Sequence, residues 1–280
     1  MKGAWTKASV MLLTAVFIAP SHTHALEPAT ALDDCFTAPS EERIVESMVL
    51  FPGAESFGRG VYTLCAMRVP FGIEELAVTT ALAGVSGNRL GMSMSFSSVG
   101  FDLYGEEMGK LGLTYSPVRR VGAGIRLTRN SMRIKGYGDA STWSADAGIV
   151  LRPVESVFLA ASVEDVTDAR LGESEETLDG AARFAAAWMA TTRMEFITAV
   201  NSVRRFDPSV SAGFTFRILD ILTLGAAGGT GPDRFEFLVT VAKSGLRVSV
   251  RGSYHAELGM SHGFSLCWGG GARPHKNGLL

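Results

Sequence analysis

The sequence predicts an all-β protein: a transmembrane, antiparallel, up-and-down β-barrel of about 14 strands, with a short N-terminal arm or plug. Three observations predict it. From residue 60 onward hydrophobic residues alternate with small or polar ones, the period of a strand with two unlike faces. The segments so defined run to roughly 9–11 residues, enough to cross a bilayer at a tilt of about 45°, whereas strands of soluble proteins average about 5–6. Short connections follow every second strand and the longest ones follow the others, as barrels with periplasmic turns and external loops require.

Composition agrees. The chain has 280 residues, 46% hydrophobic, only 19% charged, with 32 glycines and a net charge of −2. That is too apolar for disorder and too weakly basic for a nucleic-acid surface, so no nucleic-acid partner is expected. No apolar run is long enough for a spanning helix, apart from the partial one at the N-terminus.

Residues 1–25 read as a signal peptide. Lys2 and Lys7 form the basic start, Ala8 to Ala19 the apolar stretch, and Thr23-His24-Ala25 a small-x-small cleavage site. Cys35 is preceded by Asp33 and Asp34, which is no lipid-attachment box. Residues 26–56 follow as a periplasmic arm or a hatch inside the barrel. Within them Ser40–Phe51 offers a helix start after Pro39, with Ile44, Met48 and Phe51 on one face.

Residues 57–269 supply the barrel. Strands are expected near 61–69, 75–85, 89–99, 106–116, 120–130, 142–152, 155–165, 180–190, 193–203, 208–217, 221–229, 234–243, 246–255 and 262–269. Leu90, Met92, Met94 and Phe96 oppose Gly91, Ser93, Ser95 and Ser97, and the other strands repeat this contrast. The apolar face suits lipid. The second face is built from Ser, Gly, Ala and Thr with charges of both signs, which suits a confined wet lumen better than an open surface. Its lumen-facing candidates are Arg126, Asp146, Arg183, Glu195, Arg217, Glu236, Arg247 and Arg251, with Glu164 beside them. Backbone groups in lipid must all be paired, so such a sheet has to close. The turns expected on the near side are Ser86-Gly87-Asn88, Pro117–Arg119, Pro153-Val154, Thr191-Thr192, Ile218–Asp220 and Lys243-Ser244-Gly245. The two longest loops are Ser131–Ser141 and Val166–Asp179. Residues 270–280 form a tail, so an assembly signal ending at Trp268 would be internal.

Other chemistry is thin. Cys35, Cys65 and Cys267 are too few for a disulfide framework; Cys65 and Cys267, in the first and last strands, are expected as two buried thiols rather than a bridge. His255, Glu257 and His262 could suggest a metal, but zinc needs three or four well-held ligands, and a hydrogen-bonded loop corner is expected instead. Ser253 and His255 lack the third group and the oxyanion hole of a hydrolase. Ala226–Gly231 is not followed by the Lys-Ser/Thr of a phosphate loop. No catalytic, cofactor or metal site is therefore expected. The basic series Arg126, Arg129, Arg133, Lys135 reads as an anion-attracting mouth or as balance for the acidic stretch Glu164–Asp179.

The segment Ser253–Leu266 (SYHAELGMSHGFSL) resembles the last hairpin of the PorV/FadL-like outer-membrane barrels, with His255, Glu257, Leu258, Gly259 and His262 in the family-like turn. Met67–Leu76 and Leu103–Tyr115 are similar to that superfamily's early strands. The resemblance implies an outer-membrane protein of a Gram-negative-type envelope, surrounded by lipid and inserted by the barrel-assembly machinery. It implies either a channel or transporter for small or hydrophobic molecules, or a partner of secretion-system proteins. A soluble secreted β-sandwich is the alternative outside the family.

Overall fold

The computed structural model describes residues 35–40, 43–170, 178, 180–231 and 233–269. The proposed signal peptide, the C-terminal tail and half of the acidic stretch lie outside them.

Fourteen strands follow one another: β1 (Gly60–Val69), β2 (Val78–Ser86), β3 (Leu90–Phe101), β4 (Tyr104–Val118), β5 (Val121–Ile134), β6 (Gly138–Val154), β7 (Val157–Val163), β8 (Ala181–Met189), β9 (Met194–Val203), β10 (Ser209–Leu219), β11 (Leu222–Thr230), β12 (Arg234–Lys243), β13 (Leu246–His255) and β14 (Gly259–Gly269). Each pairs antiparallel with its sequence neighbours, and β1 pairs with β14 from Tyr62↔Gly269 to Val69↔His262. The sheet is a closed barrel with no free edge. Closure excludes the sandwich.

The two faces differ as the alternation requires. Met92, Met94, Phe96, Leu111, Leu113, Ile125 and Leu127 are exposed on the outside, whereas Ser93, Ser95, Ser97, Thr114 and Thr128 are buried inside. So continuous an apolar exterior is costly in water and is satisfied by lipid. No helix among the described residues is long and apolar enough to cross a membrane.

The barrel wall is uneven. β4, β5 and β6 have 15, 14 and 17 residues, while β7 has 7. This corrects the expected loop Ser131–Ser141. The β5–β6 ladder continues through Ser131↔Ser141 to Ile134↔Gly138, leaving a turn at Lys135–Tyr137. Glycines with φ of 87° and 103° at Gly136 and Gly138 make that reversal tight. The connection between β7 and β8 is the long one, and it leaves the barrel at the same end.

The thiols also differ from expectation. Cys65 pairs with Leu266, and Cys267 pairs with Leu64. Neighbouring register positions point to opposite faces, so Cys267 is buried inside and Cys65 is exposed outside.

Residues 35–40 and 43–57 lie within the ring. They contain three short 3₁₀ or α turns: Cys35–Thr37, a single α-helical turn at Ile44–Ser47, and Ala54–Phe57. The helix anticipated over Ser40–Phe51 is therefore one turn only. Met48 and Phe51 are buried, while Ile44 is half-buried toward the barrel end. Contacts reach β1 and β14, β2 to β5, and β9 and β10 across the ring. Only an interior segment can touch opposite walls in this way.

Candidate functional site

Every second side chain of a strand points into the barrel. On β5 and β6 this turns Gly122, Gly124 and Gly148 inward, and their missing side chains leave a hollow. Pro52 and Gly53 occupy it. A Cβ at Gly122 would lie 2.3 Å from the Gly53 carbonyl oxygen, and one at Gly148 would lie 2.6 Å from that of Pro52. Phe36 uses Gly225 of β11 similarly, at 2.7 Å from where a Cβ would stand. Glycine on the inner wall thus sets how closely the inner segment approaches.

Polar groups fix the same segment. Arg126 on β5 donates through Nη1 to the carbonyl of Val49 at 2.8 Å and through Nη2 to that of Met48 at 2.5 Å. The Glu55 carboxylate accepts from Ser93 Oγ and Thr114 Oγ1, both at 2.7 Å, and from the Gly53 N–H at 3.0 Å. Arg43 pairs with Glu195 of β9 at 2.8 Å. Glu46 pairs with Arg247 of β13 at 3.0 Å. Glu236 of β12 accepts the Cys35 N–H at 3.2 Å through one oxygen and binds Arg234 at 2.8 Å through the other. Burial alone would raise the Glu46 carboxyl pKa, but Arg247, Arg251 and Arg43 outweigh it and hold the group below the usual carboxylate range.

A second charged layer lies toward the long-loop end. Glu164, just beyond β7, joins Arg183 of β8 at 2.7 Å and Lys110 of β4 at 3.1 Å. Burial again opposes its charge, and Arg183 and Lys110 more than offset this, so its pKa is lowered. Asp146 accepts from Thr128 Oγ1 at 2.8 Å and from the Asp165 N–H at 3.1 Å. Asp165 then caps Ala169 and fixes the start of the long loop.

Two cavities flank these layers. The outer one, about 140 Å³, has Val99, Met108, Met132 and Leu178 beside Asn130 and Glu106. The one at the short-turn end, about 450 Å³, lies among Ile44, Met48, Phe57 and Phe158, with exposed Arg59 and Arg119 at its rim.

The sequence candidates are thus distributed over distinct tasks. Arg126, Glu195, Glu236 and Arg247 touch the inner segment, and Arg251 stands near Glu46. Asp146 and Arg183 belong to the outer charged layer. Arg217 is half-buried near the short-turn end of β10, paired across to Thr223. The last turn does not converge. His255 Nδ1 accepts the N–H groups of Glu257 and Leu258 at 3.1 and 3.2 Å, Gly259 takes φ 89°, and His262 is exposed on the opposite face. Among the described residues no group of three His, Cys, Asp or Glu side chains could hold a metal. Sequence reasoning missed Arg43, Glu46, Glu55 and Lys110. The signal available was two carboxylates, Glu46 and Glu55, flanking the apolar run Met48–Phe51.

No protein-family model and no curated protein matches the sequence. Solved structures do match. A FadL homologue of Pseudomonas aeruginosa aligns with a TM-score of 0.58 at 9% identity, over 79% of this chain and 93% of that one. The CymD monoaromatic hydrocarbon channel gives 0.60 at 8% identity over 80% and 92%. The Pseudomonas putida toluene transporter TodX gives 0.58 at 8% identity over 79% and 91%. At these identities the common property is architecture: the chain has the fold of the FadL-type outer-membrane barrels.

Proposed function

We propose that this chain is an outer-membrane channel for small hydrophobic molecules, with residues 35–57 as a plug that must shift for passage. The observation that carries this reading is the pair of cavities with partly apolar walls, one on each side of an inner segment held by separable polar contacts. A structural core would need no such cavities at its ends. The outer cavity sets Val99, Met108, Met132 and Leu178 among serines, Asn130 and two glutamates, so a small molecule entering it meets apolar side chains within a polar frame. The contacts are distributed along the segment, and each costs about 1–3 kcal/mol to break, so one part can loosen while the others hold. The hydrocarbon channels and transporters among the structural neighbours support the substrate class.

The test is uptake at limiting concentration. Cells lacking their own hydrocarbon porins and expressing the chain take up radiolabelled toluene faster than cells with an empty vector. Equal rates, with the barrel present and folded in the outer membrane, refute the proposal.

A further inference from the structure

The register across β2 to β6 divides the outer wall into horizontal rows. The row Met94, Leu111, Leu127 is apolar and belongs to the lipid band. One step toward the long-loop end, Phe96 pairs with Gly109, Gly109 with Arg129, and Arg129 with Trp143. One further step gives an entirely polar row: Thr79, Ser98, Glu107, Ser131, Ser141. Arg133 and Asp139, paired with each other in register, stand above it. A groove of about 710 Å³ runs over these upper rows.

The basic series noted in the sequence is therefore split between faces. Arg126 points inward to the carbonyls of Met48 and Val49, while Arg129 and Arg133 are exposed on the outside. Neither makes an ion pair with a described residue. Gly109 leaves a gap between Phe96 and Arg129, where a Cβ would meet nothing within 4 Å. Arg133 leans over Gly105, its Nη2 being 3.9 Å from where a Cβ would stand. Thr79 and Ser98 share an exposed hydrogen bond at 2.9 Å.

We infer that this wall binds a phosphorylated glycolipid of the outer leaflet. Three features converge on that occupant. The groove sits where apolar rows give way to polar ones, so acyl chains on Phe96 and Leu111 would continue into a headgroup at Arg129. Two arginines offer planar, multidentate donors to phosphate. Ser98, Ser131, Glu107 and Asp139 add the hydroxyl and carboxylate groups that hydrogen-bond sugar hydroxyls. A pure anion site would exclude the two carboxylates, and a bare hydrocarbon surface would exclude all of them. The orientation rests on the outer-membrane reading above: the short turns face the periplasm, so this end faces out.

The probe is hexa-acylated lipid A carrying both phosphates, added to the detergent-folded full chain and followed by native mass spectrometry. Lipid A with its phosphates removed and inorganic phosphate are the comparison ligands. The expected result is binding of lipid A at least tenfold tighter than of its dephosphorylated form, with Arg129→Gln/Arg133→Gln abolishing that difference. Gly109→Phe, which fills the gap and leaves both arginines, lowers lipid A affinity by a similar factor. Folding of each variant is checked by heat-dependent gel mobility, and Arg193→Gln, in a turn at the other end, leaves binding unchanged. Equal binding of lipid A by the wild type and both variants overturns the inference. So does inorganic phosphate binding as tightly as lipid A, which would make the groove a simple anion site. Loss of toluene uptake has no bearing on these readouts, so the two proposals fail separately.

Discussion

Gly122 of β5 and Gly53 of the inner segment approach so closely that a Cβ on the first would lie 2.3 Å from the carbonyl oxygen of the second. Ser56 Oγ would be nearer still, at 1.9 Å. Gly53 has φ 109°, so the inner segment cannot easily rearrange around a new side chain there. Gly122→Val is therefore expected to displace Pro52-Gly53 at a cost of about 1–3 kcal/mol of overpacking, with the strand ladder intact. In planar bilayers the variant should conduct more than the wild type. Unchanged conductance from a folded variant would show that these glycines do not seat the plug.

Glu46 should give the inner segment a dependence on pH. Burial disfavours its charge, but Arg247, Arg251 and Arg43 together lower its pKa from the ordinary 4.5. A carboxylate depressed on folding stabilises the folded arrangement fully above its unfolded pKa, and that stabilisation is lost as pH falls through the lower, folded value. Acidification below about pH 4.5 should thus loosen the plug and raise conductance, while neutral to mildly alkaline pH should have no effect through this group. Glu46→Gln leaves Arg247, which is partly open to the short-turn cavity, without its counter-charge, at a cost of about 1–3 kcal/mol. That variant should be conductive at pH 7 and lose the acid-induced step. An acid step of the same size in Glu46→Gln would assign the effect to another group.

Cysteine chemistry tests the closure of the barrel. Cys65 and Cys267 occupy adjacent register positions on β1 and β14 but point to opposite faces, and Cβ vectors that diverge cannot be bridged. Oxidation of the folded chain should leave its mobility unaffected by reductant. N-ethylmaleimide should add once to the folded protein, at Cys65, and three times to the unfolded chain, because Cys35 and Cys267 are buried. Two adducts on the folded form would contradict the placement of the last strand.

These thiols show where sequence reasoning stopped. Alternation reveals that Leu90 and Gly91 have different surroundings, because lipid and lumen demand different chemistry. It says little about register between strands far apart in the chain, and the single-residue offset of Cys65 from Cys267 decides their faces. The height of β5 and β6 was hidden for a related reason. Above the lipid band the outward face turns polar, with Ser131, Arg133, Asp139 and Ser141, so the stretch lacks the lipid-facing apolar side that marks the other strands. The charged lumen candidates were legible as a face, whereas their partners were not. Arg126 binds carbonyls of Met48 and Val49, 77 or 78 residues away, and no local pattern encodes such a meeting.

The tryptophans measure the lipid band directly. Trp143 lies on the row that borders the polar wall, and Trp188 stacks on Phe196 near the short turns, with ring centroids 5.7 Å apart. Trp268, on the last strand, is likewise exposed outward. Aromatic rings of this kind gather at the two water interfaces of a bilayer. In liposomes of brominated lipids, bromine near the headgroup should quench all three more strongly than bromine near the chain ends. Replacing Trp143 with Phe should remove the part quenched from the outer leaflet alone. Equal fluorescence in brominated and ordinary lipid would mean that the apolar wall is covered by something other than lipid, since no soluble fold could leave these rings dry.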